Sequence, residues 1–128
     1  MGELNYNVNR VVWCDVPVAD LDRAIGFYSA VLGSEVSKQA VDGFEFAVLD
    51  HEGGNGGCLI PSEGDVNGTG GLLVYFNVNG RIRDAVGQVL SHGGKVVQHV
   101  HSIGQHGVRA IATDSEGNRI ALHSTTDA

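Results

Sequence analysis

Apolar and polar residues alternate along 11–18, VVWCDVPV. Val12, Cys14, Val16 and Val18 fall on one side, and Trp13, Asp15 and Pro17 on the other. A period of two is that of a half-buried strand. The period then changes. Leu21, Ala24, Ile25, Tyr28, Val31 and Leu32 recur at steps of three and four, which predicts an amphipathic helix over 21–32. Asp20 stands where an N-cap belongs and Gly33 where a C-cap belongs. Phe27 and Tyr28 read as core residues of this helix. A short strand from Val36, a strand over 44–49 (FEFAVL), the turn DHEGGNGG and a strand CLI complete the run.

The same order then returns. At an offset of 60 residues Val12, Val16, Val18, Gly33 and Val36 meet Leu72, Phe76, Val78, Gly93 and Val96; at 61, Leu21, Ala24, Ile25 and Tyr28 meet Ile82, Ala85, Val86 and Val89. A strand over 72–78, a helix over about 82–91 stopped by Gly93 and Gly94, and strands near 95–100, 108–113 and 119–123 follow. The chain therefore reads as strand–helix–strand–strand–strand, twice. Asp50, Glu52 and Gly53 match Asp114, Glu116 and Gly117 at an offset of 64. An Asp-x-Glu-Gly run looks like a pair of catalytic acids. Its recurrence at the same corner of each repeat makes it a hairpin connector, since Asp bonds its own backbone and Gly supplies positive φ. PSEGDVNGTGG, 61–71, is a linker between the repeats rather than a phosphate loop, because no Lys follows its glycines.

Composition narrows the function classes. One domain over 1–128 is expected, with a first module at about 8–61 and a second at about 71–124. Eight basic against 15 acidic residues give a formal net charge of −7, which argues against nucleic acid or an anionic membrane as partner. No apolar run approaches the ~18 residues of a transmembrane helix, and no apolar signal sequence is visible near the start. Two cysteines, Cys14 and Cys58, make no disulfide framework, so a cytoplasmic setting is the expectation.

In combination, DLDRAIGFYSAVLG and DSEGNRIAL resemble the vicinal-oxygen-chelate superfamily: glyoxalases, bleomycin-resistance proteins and extradiol dioxygenases. The likeness runs from about residue 10 to 124, and VVWCDVPVADLDRA is similar to a branch related to lactoylglutathione lyase. It implies an α+β fold: two βαβββ modules in tandem forming a curled mixed sheet around a cleft, assembled as a homodimer. Its metal-dependent members hold a divalent ion with His and Glu. Carried onto this sequence, those four positions fall on Trp13, Cys58, Leu73 and Ala121. Indole, isobutyl and methyl groups donate no lone pair to a cation, and one thiol is not a site. The neighbours Val12, Cys14, Leu72, Val74, Ile120 and Leu122 supply no His or carboxylate either.

Parity then says what lines the cleft, because residues two apart share a face. With Trp13 goes Asp15, with Leu73 go Tyr75 and Asn77, and with Ala121 go His123 and Arg119. Trp13, Cys58, Leu73, Tyr75, Asn77 and Ala121 are thus the candidate ligand-binding residues of a mostly apolar chamber. Trp13 is a core filler or a stacking platform. Asp15 calls for a partner, His123 or Arg119. Asp15 and His123 are the candidate acid/base pair if the protein is an enzyme. His99 and His101 form the alternative metal pair, with His106 beyond a glycine; the other reading is a polar surface strand. His51 and His92 read as solvent-exposed turn and helix-end residues. The first expectation is a protein that binds a small apolar or planar molecule without cofactor. The alternative is a glyoxalase-type lyase or isomerase with an atypical metal or acid/base groups.

Overall fold

The computed structural model describes residues 9–62 and 71–128. The greater part of the linker and the first eight residues lie outside them. The chain forms two compact units, Trp13–Leu73 and Val74–Ala128, the second joined by residues 9–12. Each carries the predicted element order.

In the first, β1 (Val11–Val18), α1 (Leu21–Leu32), β2 (Val36–Val41), β3 (Phe44–Leu49) and β4 (Gly56–Pro61) follow in sequence. β4 runs parallel to β1 and antiparallel to β3, which pairs with β2. α1 begins where its capping chemistry says. The Asp20 carboxylate accepts from Arg23 N at 3.0 Å, and Gly33 closes the helix at φ 65°. Leu21 packs with Val18, Val36, Ala47 and Leu59, and Ala24, Ile25 and Tyr28 pack against that cluster.

Phe27 does not. It is 58% exposed, against the expectation that it belongs to the core. At about 100° per residue it sits roughly 120° around the helix from Leu21, outside the stripe that Tyr28 shares. Val31 and Leu32 are exposed as well.

The second unit repeats the plan with β5 (Leu73–Asn77), α2 (Ile82–Ser91), β6 (Lys95–Ser102), β7 (Val108–Thr113) and β8 (Arg119–Ser124). β8 is parallel to β5 and antiparallel to β7, which pairs with β6. Ile82 and Ala85 of α2 pack on Ala110 and Leu122, flanked by Phe76, Val78, Val86 and Val89. Leu72, expected on this apolar face, lies ahead of β5 and is exposed. A 3₁₀ turn over Gly104–His106, which the apolar pattern does not announce, leads into β7.

The two Asp-x-Glu-Gly corners are hairpins, as expected, but not copies. Asp114 is a full cap. Its carboxylate accepts from Glu116 N at 2.9 Å, Asn118 N at 2.8 Å and the Asn118 side-chain amide at 2.9 Å. The Asn118 bonds, the side-chain one foremost, hold its carboxyl below the ordinary carboxylate range. In the first corner, Asp50 receives only Glu52 N at 3.4 Å, and Glu52 takes the left-handed conformation at φ 49°. The last two glycines of that corner, Gly56 and Gly57, belong to β4 rather than to the turn. A Cβ on Gly57 would strike the Cys14 carbonyl of β1, and one on Gly56 would lie 2.7 Å from the His51 side chain. Only glycine lets the strand pass there.

Candidate functional site

In each unit the strands have one face under the helix and one turned away from it. In the first unit Val16, Val18, Leu59 and Ala47 lie under α1. The alternation places Trp13, Asp15 and Cys58 on the opposite face, and Asp15 stands directly across from Cys58 in the β1–β4 register. The Cys58 Sγ donates to the Asp15 carboxylate at 3.3 Å. Burial, and then the Asp15 charge, pushes the Cys58 thiol well above its ordinary range. It therefore stands as a donor to that carboxylate rather than as a thiolate nucleophile.

Trp13 is 1% exposed and meets the His51 ring edge-on, with centroids 5.4 Å apart at 89°. His51 is thus not the plain solvent-exposed turn residue expected. Its Nδ1 lies 2.8 Å from the Gly54 carbonyl, and its ring covers Gly56. The bare glycine is what admits an imidazole over the indole. A shallow cavity of about 310 Å³ opens nearby between Glu35, Ser37, Gln39, Val48 and the turn 50–52.

In the second unit the face away from α2 is laid out in rows by the register. Asn77 pairs with His123, His123 with Arg109, and Arg109 with His101, so four polar residues cross the four strands in line. One step along lies an apolar row, Tyr75, Ala121 and Ile111. Arg109 is the hub. Its Nη1 donates to the Tyr75 hydroxyl at 2.7 Å, and its Nε donates to His101 Nε2 at 3.2 Å. The guanidinium also stands 5.9 Å over the Tyr75 ring. Since Arg only donates, His101 Nε2 must carry a lone pair; Nδ1 then holds the proton and donates to the His99 carbonyl at 2.8 Å.

His123 is fully buried. Its Nε2 donates to the His106 carbonyl at 2.7 Å, which leaves the lone pair of the neutral ring on Nδ1. Desolvation lowers its pKa below the ordinary 6.5, opposed by the His106 bond and helped by the charges of His106 and Arg109. Asn77 is occupied by main chain: its Oδ1 accepts from Asn79 N at 2.9 Å and its Nδ2 donates to the Asn9 carbonyl at 3.1 Å.

A depressed His123 has a consequence for stability. Below pH 6.5 the unfolded chain binds a proton that the folded chain refuses, so the contribution is complete above 6.5 and is lost as pH falls toward the folded value. Urea denaturation at stepped pH should show stability declining below neutrality, with a shallower decline in His123→Asn. An unchanged slope in the variant would mean that other groups carry the dependence.

The four positions expected to match the relatives' metal ligands lie as follows. Trp13, Cys58, Leu73 and Ala121 are all nearly fully buried, and they present carbon and a protonated thiol. Both ring nitrogens of His101 are engaged, and β6 shifts register between Gln98 and His101, which breaks the simple alternation that would place His99 beside it. Among the described residues no group of three or more His, Cys, Asp or Glu is placed to hold a metal ion. None of their helices is long and apolar enough to cross a membrane. Arg109, which the sequence reading did not single out, was legible by parity: it shares a face with Ile111 and Thr113, opposite Val108, Ala110 and Ala112.

The family model described as Glyoxalase/Bleomycin resistance protein/Dioxygenase superfamily matches residues 10–122. A superfamily member from Vibrio splendidus is similar in structure, with a TM-score of 0.63 at 18% identity, covering 90% of this chain and 97% of that one. A variant methylmalonyl-CoA epimerase from Streptomyces coelicolor, in complex with 2-nitronate-propionyl-CoA, gives 0.62 at 22% identity, covering 94% and 99%. A hypothetical protein from Bacillus halodurans gives 0.67 at 13%, covering 95% and 98%. These likenesses concern the fold. No curated protein sequence matches.

Proposed function

The chain belongs to the glyoxalase/bleomycin resistance protein/dioxygenase superfamily, and from that premise we propose that it is a binding protein of this fold, holding a small, largely apolar or planar molecule without a resident metal ion. The observation that carries the reading is the donor set. Where metal-dependent relatives would place His and Glu, this chain has an indole, a protonated thiol, an isobutyl group and a methyl group. Such side chains grip a guest by shape, and a few polar groups orient it. Trp13, Cys58, Leu73, Tyr75, Asn77 and Ala121 remain the proposed ligand contacts, each on the helix-distal face of its own strand.

Elemental analysis of the purified protein, with a thermal-shift screen of divalent ions, tests this. The expected result is no stoichiometric cation and no ion-dependent rise in melting temperature, together with a saturable change in Trp13 fluorescence on adding planar ligands. A stoichiometric cation whose chelation destabilises the fold would overturn the reading.

His123 supports a second reading, a lactoylglutathione-lyase-like lyase or isomerase with Asp15 and His123 as its acid/base groups. Burial keeps the His123 imidazole neutral with its lone pair on Nδ1, the state a general base requires. Turnover abolished in both His123→Asn and Asp15→Asn, with ligand binding retained, would favour it.

A further inference from the structure

The second unit segregates charge. Of the 15 acidic residues in the chain, none lies in its four strands, LVYFN, KVVQHVHS, VRAIAT and RIALHS, which carry two arginines, one lysine and three histidines. In a protein of net charge −7 that is a local reversal of sign, and such a patch attracts anions. Within it, Arg109 is half-buried and held by neutral partners, the Tyr75 hydroxyl and His101 Nε2. Among the described residues it forms no ion pair with a carboxylate. A guanidinium carries five N–H donors. Two are used in these bonds, so three remain, including both on Nη2. The Tyr75 ring and hydroxyl on one side and His101 on the other fix the plane of the fork. His101 is itself fixed through the His99 carbonyl.

On the binding reading above, we infer that the ligand is a small monocarboxylate, and that Arg109 pairs with its carboxylate through the unused edge of the guanidinium. A planar fork matches a carboxylate bidentately. Arg109 is a single fixed cation whose partners are a phenol and a neutral imidazole, which suits one negative charge better than a phosphate dianion. His101 and Tyr75 act as positioning residues.

The test uses the intact protein, isotopically labelled, titrated at constant ionic strength with benzoate, with neutral benzamide and with inorganic phosphate. Amide and arginine Nε–H shifts are followed by NMR. The expected result is saturable binding of benzoate, with the Arg109 Nε–H signal moving. Benzamide should bind at least about tenfold more weakly, since a charge-assisted hydrogen bond is lost. Arg109→Gln should abolish the preference for acid over amide, and Arg109→Lys should restore part of it, which separates lost charge from lost fold. Tyr75→Phe should weaken benzoate more than it weakens benzamide, the excess being the part that acts through Arg109.

Equal binding of acid and amide removes the carboxylate assignment and leaves the binding reading standing. Tighter binding of phosphate than of benzoate, unchanged benzoate affinity in Arg109→Gln, or no saturable shift with benzoate each overturn the assignment as well. A stoichiometric metal would instead defeat the binding reading itself.

Discussion

Trp13→Ala should lower stability by about 3–5 kcal/mol, the range for emptying a fully buried aromatic site. For a chain of this size that is a fall in melting temperature of roughly 10–25 °C. The indole is 1% exposed, and its ring contact to His51 would be lost with it. His51 cannot close the gap, because its ring is tied by Nδ1 to the Gly54 carbonyl. Urea and thermal denaturation followed by circular dichroism would measure this, the substitution having removed the only tryptophan. The result also bears on the two readings of the residue. A loss of 3 kcal/mol or more means that Trp13 helps to hold the first unit together, whether or not its ring also meets a guest. A loss below about 1 kcal/mol, the level of an ordinary surface change, would leave ligand contact as its only role.

Much of the fold was legible because it rests on local, periodic chemistry. The first helix starts at its Asp20 cap and stops at Gly33, the second stops just short of Gly93, and the repeat order follows from alternation giving way to a period of 3.6. Parity also put Tyr75 with Asn77, and His123 with Ala121, on shared faces of their strands from the sequence alone. What parity could not give is who meets whom across strands. That depends on register, and register is set by hairpin length. The row Asn77–His123–Arg109–His101 exists because the five-residue corner 114–118 sets β7 against β8 as it does. The Trp13–His51 contact is not local in this sense either. It needs Gly56 to be bare, and the glycine run there reads in sequence as a turn. Phe27 shows the opposite failure. Hydrophobicity marked it for the core, but its angular position on α1 decided against it.

Gly107→Ala should be the most damaging single-methyl change, by about 3 kcal/mol or more. Gly107 has φ 100° and ψ −132°, a region that side chains with a Cβ essentially do not enter. A Cβ there would also collide with the Ser124 carbonyl and lie 2.8 Å from the Thr125 Cα, both backbone and unable to swing aside. The damage should reach His123. Gly107 follows the His106 carbonyl that holds the imidazole, and its own carbonyl accepts from Ile103 N at 2.9 Å. Moving it releases His123 from its acceptor, so the pH dependence of stability should change along with the midpoint. Gly104→Ala is the control. Gly104 also has positive φ, 73°, but nothing lies within 4 Å of its would-be Cβ, so only the left-handed strain applies, about 1–2 kcal/mol. Urea denaturation of the two variants should therefore separate them clearly. Equal losses would mean that the strand end at Ser124 yields to the added methyl, and that the His106 carbonyl is not held in place by the close approach at Gly107.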